Sequence, residues 1–444
     1  GMDDIDSPEG GCTTHFASLV VGRLSSLGAD WVDYPNLIRL NPNIPYRTRG
    51  NGAVAIRFSI NTAKVDGILP IIEDMVEEYT EANYPNTNPG VVIVRDNVPA
   101  ALRNFSIRAM WRTIPVSVAD RLLEEHAIDH ISRGNGRGLV GALAAVGNQL
   151  ENDHTYELIA YRAVESTSEA RGVDEQSVVE MDRRMGTRLF SNVDPVTRRV
   201  LIVPRGPDPV LFGIRGEHVE DVLEASSQVK SDQPVDRMMA FRTNQGTGAH
   251  LMHCVYVSDL RPYMAAVVHG AVDRRPKIAE GGHVVFSVGD CSGRVDCATY
   301  EPTGEFRNVV LKLVKGDQVL VHAAVRPAAR THGLTLNVEG LEIVNLALVY
   351  RESNPVCPHC FKRMKSAGKG QGYKCFSCGF KDLEGTKTRT PVERTIEETV
   401  YLPPPRAQRH LTKPLARMDK ENHGVPERLV DRWYRFRQEH VIGT

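Results

Sequence analysis

The stretch DDIDSPEGGCTT, residues 3–14, says more about the fold and chemistry of this chain than any other segment. Asp3, Asp4 and Asp6 stand within four positions, and Thr13 follows them closely. Carboxylates this close repel one another unless a cation neutralises them, and magnesium suits both oxygen ligands and nucleotide phosphates. The alternative is an acidic terminal segment or a solvated turn.

An apolar helix is predicted directly after this loop, continuing to Leu24. Thr13 or Thr14 is then either the N-cap of that helix or a hydroxyl that binds the metal or accepts a phosphoryl group. Cys12 is interpreted as a small buried residue rather than a nucleophile. The segment therefore predicts an acidic loop that runs into a helix N-terminus.

The tetrapeptide Arg-Gly-Asn-Gly occurs twice, at residues 49–52 and 133–136. Glycine permits backbone shapes in which successive N–H groups converge on an anion, and arginine adds a bidentate clamp. The second copy continues into GxGxxG, but no clear strand precedes it, which argues against a dinucleotide site. The candidate phosphate-binding residues are Arg49, Gly50, Asn51, Gly52, Arg133, Gly134, Asn135, Gly136, Arg137 and Gly138.

Length and composition narrow the class of protein. The 444 residues predict about three domains, and 41% hydrophobic with 25% charged residues is typical of a globular protein. The sequence contains neither GxxxxGK[ST] nor the protein-kinase motifs, which excludes those nucleotide scaffolds. Without a long apolar run or a signal segment, we expect a cytoplasmic protein with no membrane span.

Charge is distributed unevenly along the chain. Residues 351–444 hold 19 Lys+Arg against 11 Asp+Glu, whereas residues 1–350 hold 35 against 44. A basic C-terminal quarter on an acidic body indicates an anionic partner at one end.

Periodicity predicts mixed α and β elements in the first half. Apolar residues alternate up to Ile60, indicating a strand over 54–60, and helical spacing follows over 65–82. A strand at 91–94 and a helix at 117–126, capped by Ser117, complete a small α+β sandwich. Further along, we expect a helix after Gly138, a strand at 156–162 and a surface helix within 165–186.

Short strands dominate from about residue 264. We predict strands at 283–288, 294–300, 308–314, 318–325 and 333–338, separated by turn residues. Five strands in this length fit an OB-type barrel, a fold that commonly binds single-stranded nucleic acid. Another small barrel remains the alternative.

Two CxxC pairs predict a structural zinc site. Cys357 and Cys360 are separated by fourteen residues from Cys375 and Cys378, a spacing that forms a closed tetrahedral site in a zinc ribbon. His359 lies inside the first knuckle and is expected to be exposed. The other four cysteines show no framework spacing, which favours a reducing compartment.

Basic residues near the ribbon and beyond it predict RNA contacts. The segment between the CxxC pairs contains five cations and no acid, a pattern that suits backbone phosphates or, alternatively, a solvated charge run. Arginines and the rings of Trp433, Tyr434 and Phe436 interleave near the end, for stacking on bases or for an amphipathic helix that docks on the body. The candidate RNA-binding residues are Lys362, Arg363, Lys365, Lys369, Lys374, Arg409 and Lys413.

Several stretches together resemble the archaeal isoleucine tRNA 2-agmatinylcytidine synthetases. They are DDIDSPEGGCTT (3–14), TRGNGAVAI (48–56), RGNGRGLVGALAAVG (133–147), the segments 190–217 and 242–250, the two CxxC pairs and PPPRAQRHLTKPL (403–415). The resemblance runs in order over about nine-tenths of the chain. The family begins with a strand before the aspartates, which we do not find here, and has an acid where Gly248 stands.

The resemblance implies a multidomain α+β protein. It implies a nucleotide-binding kinase-type α/β domain with an inserted ferredoxin-like domain, then an OB β-barrel and a zinc ribbon. The expected boundaries are 1–60 with 130–200, 61–129 for the insertion, a connecting region at 201–263, the barrel at 264–348, the ribbon at 349–385 and a basic tail at 386–444.

The resemblance also implies the reaction, in which ATP drives attachment of agmatine to the wobble cytidine of the isoleucine tRNA with anticodon CAU. Asp3, Asp4 and Asp6 would hold magnesium or align the attacking oxygen, and Thr13 matches the family's phosphorylated threonine. The two glycine loops would hold the ATP triphosphate. A non-catalytic tRNA-binding protein and a protein or RNA kinase that stops at phosphorylation are the alternatives.

Overall fold

The computed structural model describes residues 1–80, 87–163, 169–330 and 332–436. In chain order the strands are β1 (Met2–Asp3), β2 (Asp30–Trp31), β3 (Asn36–Arg39), β4 (Gly52–Ala55), β5 (Phe58–Ser59), β6 (Gly90–Ile93), β7 (Asp129–Ser132), β8 (Thr155–Tyr161), β9 (Val210–Gly216), β10 (Arg237–Thr243), β11 (Ala265–Ile278), β12 (Val284–Gly289), β13 (Arg294–Thr299), β14 (Gln318–Arg326), β15 (Thr335–Asn345), β16 (Tyr350–Ser353), β17 (Lys365–Ser366), β18 (Tyr373–Lys374), β19 (Lys381–Asp382), β20 (Thr388–Pro391), β21 (Val400–Tyr401) and β22 (Tyr434–Phe436).

The α-helices of the described residues connect these strands. They are α1 (Thr13–Ser26), α2 (Ile68–Thr80), α3 (Ala100–Ala109), α4 (Val116–Glu125), α5 (Gly138–Gly147), α6 (Glu175–Met185), α7 (Val219–Ser226) and α8 (Phe306–Leu311). Within the described ranges, no helix has the length and apolar character needed to span a membrane.

One large sheet organises the first 243 residues. Its strand order is β7-β6-β1-β4-β3-β10-β8-β9, and β22 adds to β10. Met2 of β1 pairs with both Val54 and Val91, so a short strand does lead into the aspartates, contrary to our expectation. Because β6 lies beside β1, the sheet does not break at residue 60, where we expected the inserted domain to begin.

Helix α5 packs closely over this sheet because small residues line it. A Cβ atom on Gly141 would lie 1.7 Å from Oδ2 of Asp3, and one on Gly147 would lie 2.1 Å from the carbonyl oxygen of Leu102. Glycine at these positions lets the helix touch β1 and α3 directly. This contact places the start of α5 beside the acidic loop.

A second sheet closes into a small barrel. Its order is β13-β12-β11-β14-β15-β21, and a parallel pairing of β13 with β15 joins the ends. The strand predicted at 308–314 is wrong, because Phe306–Leu311 is a helix, α8, that buries Phe306 and Val310 against the barrel. The other four predicted strands are present as β12, β13, β14 and β15.

Two predicted helix starts and one strand differ in detail. Pro115 rather than Ser117 occupies the N-cap of α4, and Cys12 rather than a threonine occupies that of α1. The strand expected over 54–60 is divided into β4 and β5. The predicted helices over 65–82 and 165–186 correspond to α2 and α6. Residues 81–82 and 165–168 of these predictions lie outside the described ranges.

The C-terminal segment returns to the large sheet instead of forming a free basic tail. Trp433 is buried and packs edge-on against Trp31 and Tyr34, and β22 pairs with β10. The fully buried Arg417 forms ion pairs with Glu217 and Asp153. The segment thus docks on the body as a strand, not as the amphipathic helix we expected, and Arg437 lies outside the described residues.

Candidate active site

The acidic loop joins β1 to α1 in a tight, buried turn. Asp4 has a φ of 56° and Gly11 a φ of 71°, and the amide of Ser7 donates to the carbonyl of Gly10 at 2.8 Å. Thr13 is the first residue of α1, and its hydroxyl donates to Oδ1 of Asp6 at 3.2 Å. The loop therefore brings a hydroxyl, a carboxylate and a helix N-terminus together.

Two arginines neutralise two of the three aspartates. Nη1 of Arg49 lies 3.4 Å from Oδ2 of Asp6, and Nε of Arg137 lies 2.6 Å from Oδ2 of Asp4. Within the described ranges Asp3 has no lysine or arginine at ion-pair distance. Burial and then the charge of Asp4 raise the pKa of the Asp3 carboxyl well above its ordinary value.

A cavity of about 580 Å³ opens above this loop. The predicted residues that line it are Asp3, Asp4, Asp6, Thr13, Arg49, Gly50, Asn51, Gly52 and Arg137. Its volume falls within the range of small-molecule sites. The structure therefore gathers the acidic loop and the first glycine loop around one space.

The second Arg-Gly-Asn-Gly copy does not line this cavity. Arg133 instead donates to Glu73 and Glu77 of α2 on the surface, at 2.7 and 2.8 Å. The side chain of Asn135 accepts from the backbone N–H of Arg137 at 3.1 Å. Residues 133–136 thus form the turn before α5. Of the predicted residues 133–138, Arg137 is the one that lines the cavity.

Several cavity residues were not predicted from the sequence. Glu157 of β8 is buried and pairs with Arg39 at 3.5 Å and Arg215 at 3.3 Å. Asp208 pairs with Arg49 at 3.7 Å and with Arg171 at 3.2 Å. These two carboxylates come from parts of the chain distant from the acidic loop. Asp208 lies in the segment 190–217 that carries part of the resemblance, but nothing in that segment singled it out, and no local pattern marks Glu157.

His410 of the C-terminal segment also faces the cavity. Its side chain is exposed where it lines the cavity, and the cavity walls crowd around it. This environment and the charges of Arg39 and Arg215 hold the pKa of its imidazole well below the usual range. The segment PPPRAQRHLTKPL therefore contributes a neutral ring to the wall of the site.

Two further cavities continue from the first. The second, of about 370 Å³, shares Arg47 and His410 with the first, and the third, of about 340 Å³, shares Arg47 and Arg409 with the second. The third reaches Arg326 of the barrel. A cationic path thus leads from the acidic loop to the barrel.

The four ribbon cysteines are arranged for a tetrahedral metal. Their Sγ atoms all lie within 4.8 Å of one another, with 3.5 Å between Cys357 and Cys378 and 3.3 Å between Cys360 and Cys375. Four thiolates suit zinc, whose bonds to sulfur of about 2.3 Å place neighbouring sulfurs slightly further apart. Among the residues described, this is the one group that meets that distance; the three aspartates do not.

The candidate RNA-binding residues fall into two groups. Lys362, Arg363, Lys365 and Lys369 are exposed on the ribbon, and Lys374 is half-buried. Arg409 lies 3.5 Å from Glu339 of the barrel and borders the second cavity. Lys413 instead pairs with Asp153 and Glu421, so its charge is already engaged.

Family models match three separate parts of the chain. A model described as the TiaS TCKD domain matches residues 1–135, the TiaS FLD domain matches 136–250, and the TiaS C-terminal zinc ribbon domain matches 354–396.

Relatives and solved structures cover nearly the whole chain. The isoleucine tRNA 2-agmatinylcytidine synthetase TiaS of Archaeoglobus fulgidus is 41% identical, over 96% of this chain and 98% of its own. That of Pyrococcus horikoshii is 39% identical, over 94% and 96%. A crystal structure of TiaS in complex with its isoleucine tRNA and ATP is 40% identical with a TM-score of 0.84, over 96% of this chain and 98% of that one. A complex of TiaS with the same tRNA, AMPCPP and agmatine is 38% identical with a TM-score of 0.81, over the same shares.

Proposed function

The chain belongs to the isoleucine tRNA 2-agmatinylcytidine synthetase family, and we propose that it uses ATP to attach agmatine to the wobble cytidine of an isoleucine tRNA. One observation in the chain itself carries this proposal. The cavity combines an acidic loop, a hydroxyl on a carboxylate and several arginines, which is the equipment of phosphoryl transfer.

The chemistry explains why ATP is needed. The O2 oxygen of cytosine is a poor leaving group until it is phosphorylated. The agmatine amine then forms a bond to C2, the C2–O2 bond breaks, and phosphate leaves with the oxygen. We assign Asp6 to accept the proton of the Thr13 hydroxyl, which it already contacts. The Thr13 oxygen then bonds to a phosphorus atom of ATP, the P–O bond to the rest of the nucleotide breaks, and that remainder leaves.

Arg49 and Arg137 are proposed to hold the phosphates from opposite sides. Each already binds a carboxylate of the acidic loop, so each can exchange that partner for a phosphate oxygen. Residues 50–52 line the same wall. The ten-residue helix α5 begins directly after Arg137, so the positive end of its dipole lies on the Arg137 side of the cavity. Residues 133–136 are given only the supporting role of shaping the α5 turn.

We also propose magnesium as a cofactor, bound at the acidic loop. The carboxylate oxygens of Asp3, Asp4 and Asp6 have the chemistry that this ion prefers. Asp3 is half-buried and has no cationic side chain at ion-pair distance among the described residues. The ion would neutralise the phosphates and the aspartates together.

Agmatine carries two cationic ends and requires carboxylates. Glu157 and Asp208 are the carboxylates of the cavity outside the acidic loop, and we assign agmatine to their side. Both are currently neutralised by arginines, which positions them without a substrate. Their place in the same cavity as Thr13 supports transfer between the two substrates.

The tRNA is proposed to follow the chain of three cavities. Arg47, Arg409 and Arg326 lie along it, and phosphates of the anticodon strand would pair with them while the wobble base enters the first cavity. Raising the salt concentration should weaken tRNA binding steeply, because phosphate contacts release counterions.

The kinase-type and OB assignments are part of the same proposal. The closed order β11-β12-β13-β15-β14, with α8 between β13 and β14, supports an OB barrel. The position of Thr13 beside the aspartates supports a kinase-type role for the large sheet. The proposed barrel domain remains 264–348 and the proposed ribbon 349–385. Residues 61–129 contribute β6 and the start of β7 to the sheet that contains β1 and β4, so we place them in one domain with residues 1–60.

The deciding experiment incubates the protein with ATP, labelled agmatine and tRNA of anticodon CAU. We expect label in the RNA, at the wobble cytidine, with Asp4→Asn inactive and the exposed Asp66→Asn as active as the unaltered protein. Phosphate transfer that proceeds equally without agmatine would favour a kinase. Binding of tRNA without any ATP turnover would favour a non-catalytic RNA-binding protein.

A further inference from the structure

Two phenylalanines of the zinc ribbon are exposed although the ribbon has few apolar residues to spare. Phe361 is 79% exposed and Phe376 is 72% exposed. The ribbon core is formed instead by Cys357, Met364 and Cys375, with other rings packed against it. Exposed rings that the fold does not use indicate a contact surface.

The backbone conformation at Phe361 is one that disfavours a phenylalanine. In each knuckle the residue after the second cysteine donates its N–H to the carbonyl of the first cysteine, at 2.9 Å for both Phe361 and Gly379. Both residues adopt the left-handed conformation, with φ of 58° and 81°. Glycine accepts this φ without strain, whereas phenylalanine does not. The first knuckle therefore carries a strained, exposed ring where the second has a glycine.

The cysteines that precede the two phenylalanines belong to one zinc site. The Sγ atoms of those cysteines, Cys360 and Cys375, are 3.3 Å apart. We call Phe361, Phe376 and the lysines over Phe376 the knuckle surface.

Lysines surround the second ring at a further cost in stability. Lys365 and Lys374 lie directly opposite each other on β17 and β18, an unfavourable pairing of like charges. Their Nζ atoms lie 5.3 and 5.8 Å from the ring centre of Phe376. Two cations over one exposed ring suit a ligand that is both aromatic and anionic.

We propose that the knuckle surface is a stacking platform for unpaired nucleotides of the tRNA substrate, with Phe361 and Phe376 stacking on bases and Lys365 and Lys374 holding the adjoining phosphates. This rests on the proposed function, which supplies the RNA. Unpaired bases expose their faces for stacking, which bases within a duplex do not. A peptide rich in acids would use the lysines but leave both rings without a partner.

The test measures tRNA affinity at several salt concentrations for Phe376→Ala, Phe361→Gly and the double variant, each with zinc content verified. We expect each single change to weaken binding about 5- to 100-fold, with an unchanged slope against salt, because stacking releases no counterions. Lys365→Ala should reduce that slope. Leu383→Ala, which removes an equally exposed ribbon side chain, is the matched control and should bind normally.

Phe361→Gly separates binding from folding. Because glycine relieves the left-handed strain at position 361, Phe361→Gly should leave the ribbon at least as stable while tRNA binding weakens. At position 376, Phe376→Trp keeps an aromatic ring and should bind tRNA better than Phe376→Ala does. A zinc-loaded double variant that binds tRNA within about twofold of the unaltered protein would overturn the platform, since two stacking rings should contribute far more. Equal losses for Leu383→Ala would also overturn it. If the unaltered protein adds no agmatine to RNA, the proposed function fails independently.

Discussion

Residues 49–52 and 133–136 have the same sequence, Arg-Gly-Asn-Gly, and different roles. The first copy lies in the wall of the cavity, and Arg49 reaches Asp6, Asp208 and the backbone of the acidic loop. The second lies at the surface, and Arg133 is held by two glutamates of α2. Identical local chemistry therefore serves a binding site in one place and a helix connection in the other.

The arginines of the two copies should differ most. Arg49→Ala removes a cation from the cavity wall beside Asp6 and Asp208, so we expect kcat/KM for agmatine addition to fall at least about 100-fold. Arg133→Ala removes exposed ion pairs, which contribute about 1 kcal/mol or less, so activity should stay within about threefold. Steady-state kinetics on the matched pair checks this, and a large loss for Arg133→Ala would break the comparison.

The first glycines should separate activity from stability. A Cβ on Gly134, where φ is 60°, would lie 2.4 Å from Oδ1 of Asn88, so Gly134→Ala should lower the free energy of unfolding by about 1–3 kcal/mol. A Cβ on Gly50 would meet the side chains of Arg39 and His410 at 2.7 and 3.0 Å. Gly50→Ala should therefore reduce activity with little change in stability. Thermal unfolding and steady-state kinetics on both variants check this. A loss of stability for Gly50→Ala together with a loss of activity alone for Gly134→Ala would refute it.

Alanine substitutions of the two asparagines, Asn51 and Asn135, should have smaller effects on activity and stability. Asn135→Ala removes the side-chain acceptor at the start of α5, at a cost of about 1 kcal/mol in stability. Asn51→Ala loses the bond from Nδ2 to the carbonyl of Asn41 at 2.7 Å and a residue suited to a φ of 48°. Only the Asn51 change should also raise KM for ATP, and an equal rise for both would contradict the assignment.

The smallest effect concerns pH at the Asp4–Arg137 pair. Burial raises the pKa of Asp4 above its ordinary 3.8, and the hydrogen bond from Arg137 opposes that shift. The folded protein then binds more protons than the unfolded one around and above pH 3.8, so this carboxyl stabilises at low pH and loses that contribution as pH rises through its folded pKa. Asp4→Asn should flatten this part of the profile of Tm against pH.

The same carboxyl predicts how ligand binding responds. Magnesium with ATP favours the ionised aspartate, so the rise in Tm on adding both should grow with pH across that window, by about a few degrees. Arg133→Ala, remote from the pair, should leave this trend unchanged. A rise in Tm that is independent of pH in the unaltered protein would argue against metal at the acidic loop.

Short-range features of this protein were determined by the sequence itself. The zinc ligands lie close together along the chain, so spacing alone predicted a cluster whose sulfurs are near one another in the structure. The apolar periodicity of α2 and the loop before α1 were also predicted, because a helix face and a turn depend on neighbouring residues. The motifs within the chain were sufficient to indicate its family.

Only the tertiary structure decided which residues meet in the cavity. Glu157 reaches it from β8, Asp208 from the loop before β9 and His410 from the C-terminal segment. Sequence spacing carries no information about such contacts. The same is true of Trp433, whose ring fills the core of the large sheet instead of meeting RNA. The two Arg-Gly-Asn-Gly loops share their local sequence, and what distinguishes them is the glutamates of α2 beside one and the aspartates of the cleft beside the other.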